Sequence, residues 1–234
     1  HNMKALLLNG PGKPFSIETI KDPTPENGYA VAKVLACGSG LTIQHVKAGR
    51  ITVNYPRIIG HEIIGEIVEI NGHGGDLEIG TPVTAFFYLT CGHCRWCNID
   101  RETLCDNFRG YIGREIDGGY AEYIKLPIEN FIKIPEEIDY KNNLLETAVV
   151  CDAVATPLKV IKKARISSFD KVGVIGAGGG LGIHMLKMLK LNNISAIGID
   201  TKTEKFNTCN ENGAEFSVSP MENNLKNKIA DYSK

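Results

Sequence analysis

Five glycines fall within the nine residues Val174-Ile175-Gly176-Ala177-Gly178-Gly179-Gly180-Leu181-Gly182. They separate a short apolar run from a helix-patterned one. Lys171–Ile175 has the texture of a buried strand, Leu181–Leu191 that of a helix, and Ile194–Ile199 that of a second strand ending at Asp200. Strand, glycine turn, helix and strand in that order open a parallel α/β sheet. Glycines permit a tight turn and close approach of the backbone to a pyrophosphate. The pyrophosphate then rests on the helix N-terminus, where free N–H groups point outward. A plain flexible turn would have the same composition, but Asp200 favours the phosphate cradle. It lies about 20 residues past the glycines, where an acid accepts the hydroxyls of an adenosine ribose. A carboxylate there repels a 2′-phosphate and favours NAD, while Lys202 and Lys205 just beyond it leave NADP open. A helix N-cap is the plainer alternative for Asp200.

The residues before this unit have a different texture. Met3–Leu8, Tyr29–Leu35, Ile63–Ile70, Val83–Phe87, Tyr120–Ile124 and Phe131–Ile134 are short β-rich runs broken by Gly and Pro. Turn pairs such as Asn71-Gly72 and Asp117-Gly118 lie among them, so a barrel-like β unit is expected. The pattern turns helical around Leu144–Ala164. Only two βα units follow Asp170, where a doubly wound sheet takes about six strands. The expected second domain is therefore partial, completed by further chain or by another subunit.

Charge narrows the partners. Lys and Arg number 26 against 27 Asp and Glu, and no long basic stripe stands out. This argues against nucleic acid or an anionic membrane. The basic run Lys159–Arg165 reads as a solvated helix face. No apolar run reaches the roughly 18 residues of a spanning helix. His1-Asn2 ahead of Met3 reads as a cloning remnant with no secretory h-region, and the cytoplasm is the expected location.

Four of the seven cysteines, Cys91, Cys94, Cys97 and Cys105, form C-x2-C-x2-C-x7-C. In a reducing compartment such clustering points to metal before disulfides. Four thiolates make a closed tetrahedral sphere for a structural Zn²⁺, with no position open for chemistry. An iron–sulfur cluster is the rival, but the C-P that ends the bacterial ferredoxin motif is absent.

Gly60-His61-Glu62, with Gly65 three residues on, heads a β run. Taken with the cysteine cluster and the glycine turn, in that order, it resembles the zinc-containing medium-chain alcohol and polyol dehydrogenases. The resemblance runs from Met3 through nearly the whole chain. It implies a GroES-like β-barrel catalytic domain over 3–150 with a zinc lobe at about 88–110, then a partial Rossmann domain over 151–234. The active site would lie in the cleft between them. It places Gly176, Gly178, Gly179, Gly180, Leu181, Gly182, Asp200, Lys205 and Thr156 on the cofactor. Relatives bind a catalytic zinc through a cysteine, this histidine and a third ligand, with the following glutamate close behind. His61 and Glu62 carry over, and Thr156 anchors Asp152 at the third position. Gly40 stands where the cysteine belongs, and Asn71 where a small residue is usual. Two readings of His61 stay open: a metal site with Glu62 and Asp152, or a metal-free cleft in which His61 bonds Asp152 or Glu62. Thr42 and His45 fall where relatives relay a proton from substrate through the ribose to a histidine.

The implied reaction is hydride transfer between an alcohol or polyol and NAD(P), the substrate being a small alcohol or carbonyl compound and the protein a dimer or tetramer. Two alternatives accompany it. One is a zinc-independent quinone or enoyl reductase of the same superfamily, which suits Gly40 and the extra glycine but not the four-cysteine lobe. The other is a non-catalytic dinucleotide-binding protein.

Overall fold

Alternation of apolar and polar residues sets the first strands. In β1, Asn2–Leu8, the side chains of Met3, Ala5 and Leu8 are buried while Asn2 and Lys4 face solvent. The computed structural model describes residues 1–234, which divide into two compact units, His1–Cys151 and Asp152–Lys234.

In the first unit β1 is followed by β2 (Phe15–Lys21), β3 (Tyr29–Cys37), a short helix α1 (Leu41–Lys47) and β4 (Arg57–Ile58). Then come β5 (Ile63–Asn71), β6 (Pro82–Ala85), β7 (Tyr123–Pro127), β8 (Phe131–Lys133) and α2 (Leu144–Ala148). The strands make two antiparallel sheets, ordered β2-β1-β4 and β7-β3-β5-β6-β8. Ile63, Ile67, Val83, Ile124, Leu126 and Phe131 form the main core with Leu89 and Ile112. Each such side chain contributes roughly 1.5–3 kcal/mol by leaving water. β3 slips in register against β5 at Val31/Ala32 and again at Val34/Ala36. Irregularities of this kind bend a strand and raise its twist. The shifted register ends with Cys37 opposite Ile63, which brings the loop after β3 beside the Gly60-His61-Glu62 loop before β5.

The second unit holds α3 (Ala155–Ala164), β9 (Lys171–Ile175), α4 (Gly180–Leu191), β10 (Ser195–Ile199), α5 (Phe206–Glu211), β11 (Ser217–Val218) and α6 (Leu225–Tyr232). Its three strands are parallel in the order β11-β10-β9, the arrangement of half a dinucleotide-binding sheet. Leu186 and Leu189 of α4 pack against Val174 and Ala196 of the sheet, all buried.

Several expectations need correction. A strand over Tyr120–Ile124 begins only at Tyr123. The N–H groups of Gly118, Gly119 and Tyr120 are taken by the carbonyls of Ile58, Gly60 and Ile59, at 2.7, 2.9 and 3.0 Å. The strand expected to run to Phe87 stops at Ala85. There Asn130 replaces the ladder, its side-chain amide donating to the Phe86 and Tyr88 carbonyls. The helical stretch over Leu144–Ala164 is broken by a π-type turn at Val150–Val154. Pro157 lies in the first turn of α3, where a missing N–H costs no helical bond. β2, β4, β11 and α1 were not anticipated. No helix is long and apolar enough to cross a membrane.

Candidate functional site

The cysteine segment has almost no core of its own. Gly92, His93, Asn98, Ile99, Asp100 and Arg101 are all exposed, so a cross-link must hold what packing does not. Its ends close on each other: Leu89 N–H donates to Gly110 O and Arg109 N–H to Leu89 O, both 2.9 Å. At the tip the sulfurs of Cys91, Cys94, Cys97 and Cys105 all lie within 4.8 Å of one another. Three pairs are 3.5, 3.6 and 3.9 Å apart. A tetrahedron of thiolates at about 2.3 Å from zinc has edges of roughly 3.8 Å, so the four residues fit that ion. Their surroundings act on them unequally. The His93 N–H, aided by the Asn107 amide and opposed by burial, lowers the Cys91 thiol to about 6. Cys97 is raised to about 11 by burial and by bonding to its neighbouring thiols.

Elsewhere in the first unit His61 and Glu62 are both buried. The His61 ring lies 4.8 Å from the Phe87 ring, tilted by 44°. Glu62 is roofed by the loop after β3, where Gly38 N–H donates to Glu62 O at 2.7 Å and Tyr120 Oη donates to Gly38 O at 3.2 Å. A β-carbon on Gly38 would stand 2.8 Å from Glu62 Oε2, and one on Gly40 would stand 3.4 Å away. Gly40 therefore supplies no ligand, and the Glu62 carboxylate occupies the space beside it. The first unit gathers three or more ligand atoms only at the cysteine lobe. It brings His61 and Glu62 together, buried, in the loop before β5. Asp152 belongs to the second unit, where it accepts from Thr156 Oγ1 at 2.8 Å. Cys151 Sγ bonds His61 O at 3.7 Å. Thr42 and His45 lie on α1, both half-buried.

In the second unit the glycine turn is pinned to the end of β10. Gly176 N–H donates to Ile199 O and Gly178 N–H to Asp200 Oδ2, both at 2.8 Å. Asp200 Oδ1 accepts the Lys202 N–H at 2.9 Å, and Lys205 Nζ returns to Gly178 O at 2.8 Å. Burial pushes the Asp200 carboxyl up, but the N–H groups of Lys202 and Gly178 and the Lys205 ammonium outweigh it and hold it below its ordinary range. Asp200 is not a helix cap; Lys202 fills that place for the turn Thr203–Lys205. Gly182 makes the closest approach, since a β-carbon there would fall 2.3 Å from Gly176 O. Gly180 opens α4 with nothing within 4 Å of the same position. This arrangement leaves the first turn of α4, Gly180 and Leu181, exposed with N–H groups that have no partner within the helix. That is a cradle for a diphosphate.

Residues 27–136 match the family described as the alcohol dehydrogenase GroES-like domain. An alcohol dehydrogenase of Geobacillus stearothermophilus is 31% identical over 233 residues, covering 98% of this chain and 67% of that protein. The chain belongs to the medium-chain, alcohol dehydrogenase-like superfamily. Solved alcohol dehydrogenase structures match along nearly the whole chain. A cobalt- and zinc-bound thermostable alcohol dehydrogenase from Pyrobaculum aerophilum matches with a TM-score of 0.85 at 28% identity, covering 94% of this chain and 66% of that one. An alcohol dehydrogenase from Escherichia coli CFT073, solved with NADH, gives 0.85 at 28% identity, covering 98% and 66%. The chain spans about two thirds of the length of these relatives. The GroES-like unit followed by a partial Rossmann unit is thus the fold of this medium-chain protein.

Three residues around the candidate sites escaped the sequence reading: Phe87 against His61, Tyr120 over Gly38, and Arg50, whose Nε donates to His45 Nδ1 at 2.8 Å. None sits in a motif, and Tyr120 is 82 residues from its partner.

Proposed function

We propose that the chain carries the catalytic and dinucleotide-binding parts of an oxidoreductase that moves a hydride between an alcohol or polyol and NAD. Residues 3–150 would act as the catalytic domain and 151–234 as the dinucleotide domain. The observation that carries this reading is the Asp200–Gly178 bond. It fixes a carboxylate and a glycine turn at the ends of two parallel strands, with an open helix N-terminus between them. The E. coli relative's NADH supports the choice of ligand.

In this reading Gly176, Gly178, Gly179, Gly180, Leu181 and Gly182 hold the diphosphate through backbone N–H groups. Asp200 accepts from the ribose, and Lys205 and Thr156 complete the cofactor side. The ionised Asp200 favours NAD over its 2′-phosphorylated form. Nicotinamide supplies the hydride chemistry, and the protein supplies orientation and a dry site. Thr42, on α1, would hand on the substrate's proton. Cys91, Cys94, Cys97 and Cys105 would hold a structural zinc, a metal also present in the Pyrobaculum relative. No step is assigned to a metal at His61 and Glu62. The protein would work as a dimer or tetramer.

Calorimetry with NAD and NADP, followed by steady-state assays on alcohols, polyols and aldehydes, tests the proposal. Binding of NAD with turnover is expected. Absence of nucleotide binding would refute it, and binding without turnover would leave a dinucleotide-binding protein. Elemental analysis counts the metal: one zinc per chain is the lobe alone, and two mean a second site.

A further inference from the structure

We infer that a cavity in the first unit, walled by Arg57, binds a small organic carboxylate with an apolar body. The inference concerns this unit alone and does not rest on the function proposed above.

The cavity lies where the β2-β1-β4 sheet meets β7 and the loop at 115–118, and its volume is about 460 Å³. Small-molecule pockets run from roughly 300 to 1,000 Å³, with mostly apolar walls and a few placed polar groups. Met3 of β1, Ile20 of β2 and Ile58 of β4 supply apolar wall, Met3 and Ile58 being buried parts of one cluster. Tyr29 and Tyr123 add two rings. The far wall is closely packed: Gly118 N–H donates to Ile58 O at 2.7 Å, and a β-carbon on Gly118 would fall 2.1 Å from Gly60 O. The cavity shares no lining residue with the sites described above.

Three acids and three bases also line it, and their commitments differ. Glu26 Oε2 accepts from Lys125 Nζ at 2.6 Å. Glu115 Oε2 accepts the Tyr111 N–H at 2.6 Å. Asp117 Oδ1 accepts from Arg57 Nη1 at 2.8 Å and from the Ile58 N–H at 3.3 Å. Every acid is thus taken by a donor of the protein itself. Asp22, whose Oδ1 is buried without a partner, does not line the cavity. The donors are in surplus. Lys21 enters no ion pair. The Arg57 side chain is only 15% exposed, Asp117 is the one acceptor on its guanidinium, and its Nε is buried without a partner.

A buried donor left unpaired is costly. With Nη1 held by Asp117, the guanidinium keeps its Nε–Nη2 edge, whose two parallel N–H groups match the two oxygens of a carboxylate. One such edge beside an apolar wall suits a single negative charge on an apolar body. A phosphate, with more charge and no such body, would set its remaining oxygens against Asp117 or the apolar wall.

The test titrates the full ¹⁵N-labelled chain with benzoate and follows the Arg57 Nε–H and the amides of Ile20, Ile58, Gly118 and Tyr123. Saturable shifts sharing one Kd on the order of 1 mM are expected. Benzamide, of the same shape without the charge, and inorganic phosphate, charged without the body, should each bind at least tenfold more weakly. Arg57→Lys, which loses the fork, should weaken benzoate about tenfold or more. Should that variant melt early, Lys21→Gln at the exposed rim decides, with an expected two- to five-fold loss. No saturable shift at these groups by twenty times the expected Kd overturns the inference. Benzamide binding as well as benzoate means an apolar crevice, and phosphate binding as well means a general cationic patch; either result also overturns it.

Discussion

Two alanine substitutions, two residues apart, separate the structural from the binding role of the glycine turn. At Gly182 the added β-carbon would stand 2.3 Å from Gly176 O and 2.7 Å from both Ala177 Cα and Ala177 O. All three are backbone atoms that no rotamer change can move. An ordinary carbon–oxygen contact is roughly 1 Å longer, so α4 must shift away from the turn by about that distance; overpacking of this kind costs about 1–3 kcal/mol. At Gly180 the same methyl group meets nothing within 4 Å. Alanine also loses less chain entropy than glycine in a helix, which favours it by roughly 0.5–1 kcal/mol. Gly180→Ala should therefore leave the melting temperature equal or slightly higher. Its methyl would nevertheless project where a diphosphate must approach, and a tenfold loss of NAD affinity removes about 1.4 kcal/mol of ligand stabilisation. Thermal melts with and without saturating NAD, paired with calorimetry, read both effects. Gly182→Ala should lower the midpoint of the apo chain by several degrees. If Gly180→Ala binds NAD as tightly as the native chain, the diphosphate does not lie on this helix and the cradle reading is wrong.

Asp200→Asn should weaken NAD binding roughly ten- to a hundred-fold, the range of a charged hydrogen bond, while narrowing the preference over NADP; an unchanged NAD to NADP ratio in calorimetry would count against the ribose role. Cys105→Ser should release one zinc per chain and expose the segment from residue 91 to 109 to protease, whereas Cys209→Ser, buried in the second unit, should leave the zinc count as it was. Tyr140 donates to Glu66 Oε1 at 2.6 Å, and this bond, with burial adding to it, raises the phenol from 10 to about 12. A raised phenol stabilises the fold fully below pH 10 and ceases to do so as pH climbs through about 12. Tyr140→Phe should therefore cost about 1 kcal/mol in urea unfolding at neutral pH, with the gap to the native chain closing from pH 10 upward. A gap independent of pH would mean that Tyr140 acts through packing.

The residue order by itself determined the parts that depend on local chemistry. Four cysteines within 15 residues can meet on one ion through turns alone, so the lobe was legible before any fold was known. The glycine turn and Asp200 were legible for a related reason: a strand, a tight turn and a helix are local, and the parallel strand that follows places its end beside the turn. The family resemblance correctly predicted the order of the two units.

What only the tertiary structure decided depends on contacts distant in sequence. β2 has no buried residue, its apolar Phe15, Ile17 and Ile20 being split between two faces, yet it pairs with β1 along its whole length, a partnership that its own composition does not announce. The strand expected at Tyr120 starts later because residues 118–120 bond the loop at 58–60. Gly40 was visible as a missing ligand, but only the fold shows the Glu62 carboxylate beside it. The contact between Arg50 and His45 follows the same logic at shorter range. His45 and Arg50 are five residues apart, a spacing that would not bring their side chains face to face on a continuing helix. They meet because the helix ends and the chain turns back at Gly49. Local pattern predicts which groups are available; long-range hydrogen bonding and chain reversal settle which of them touch.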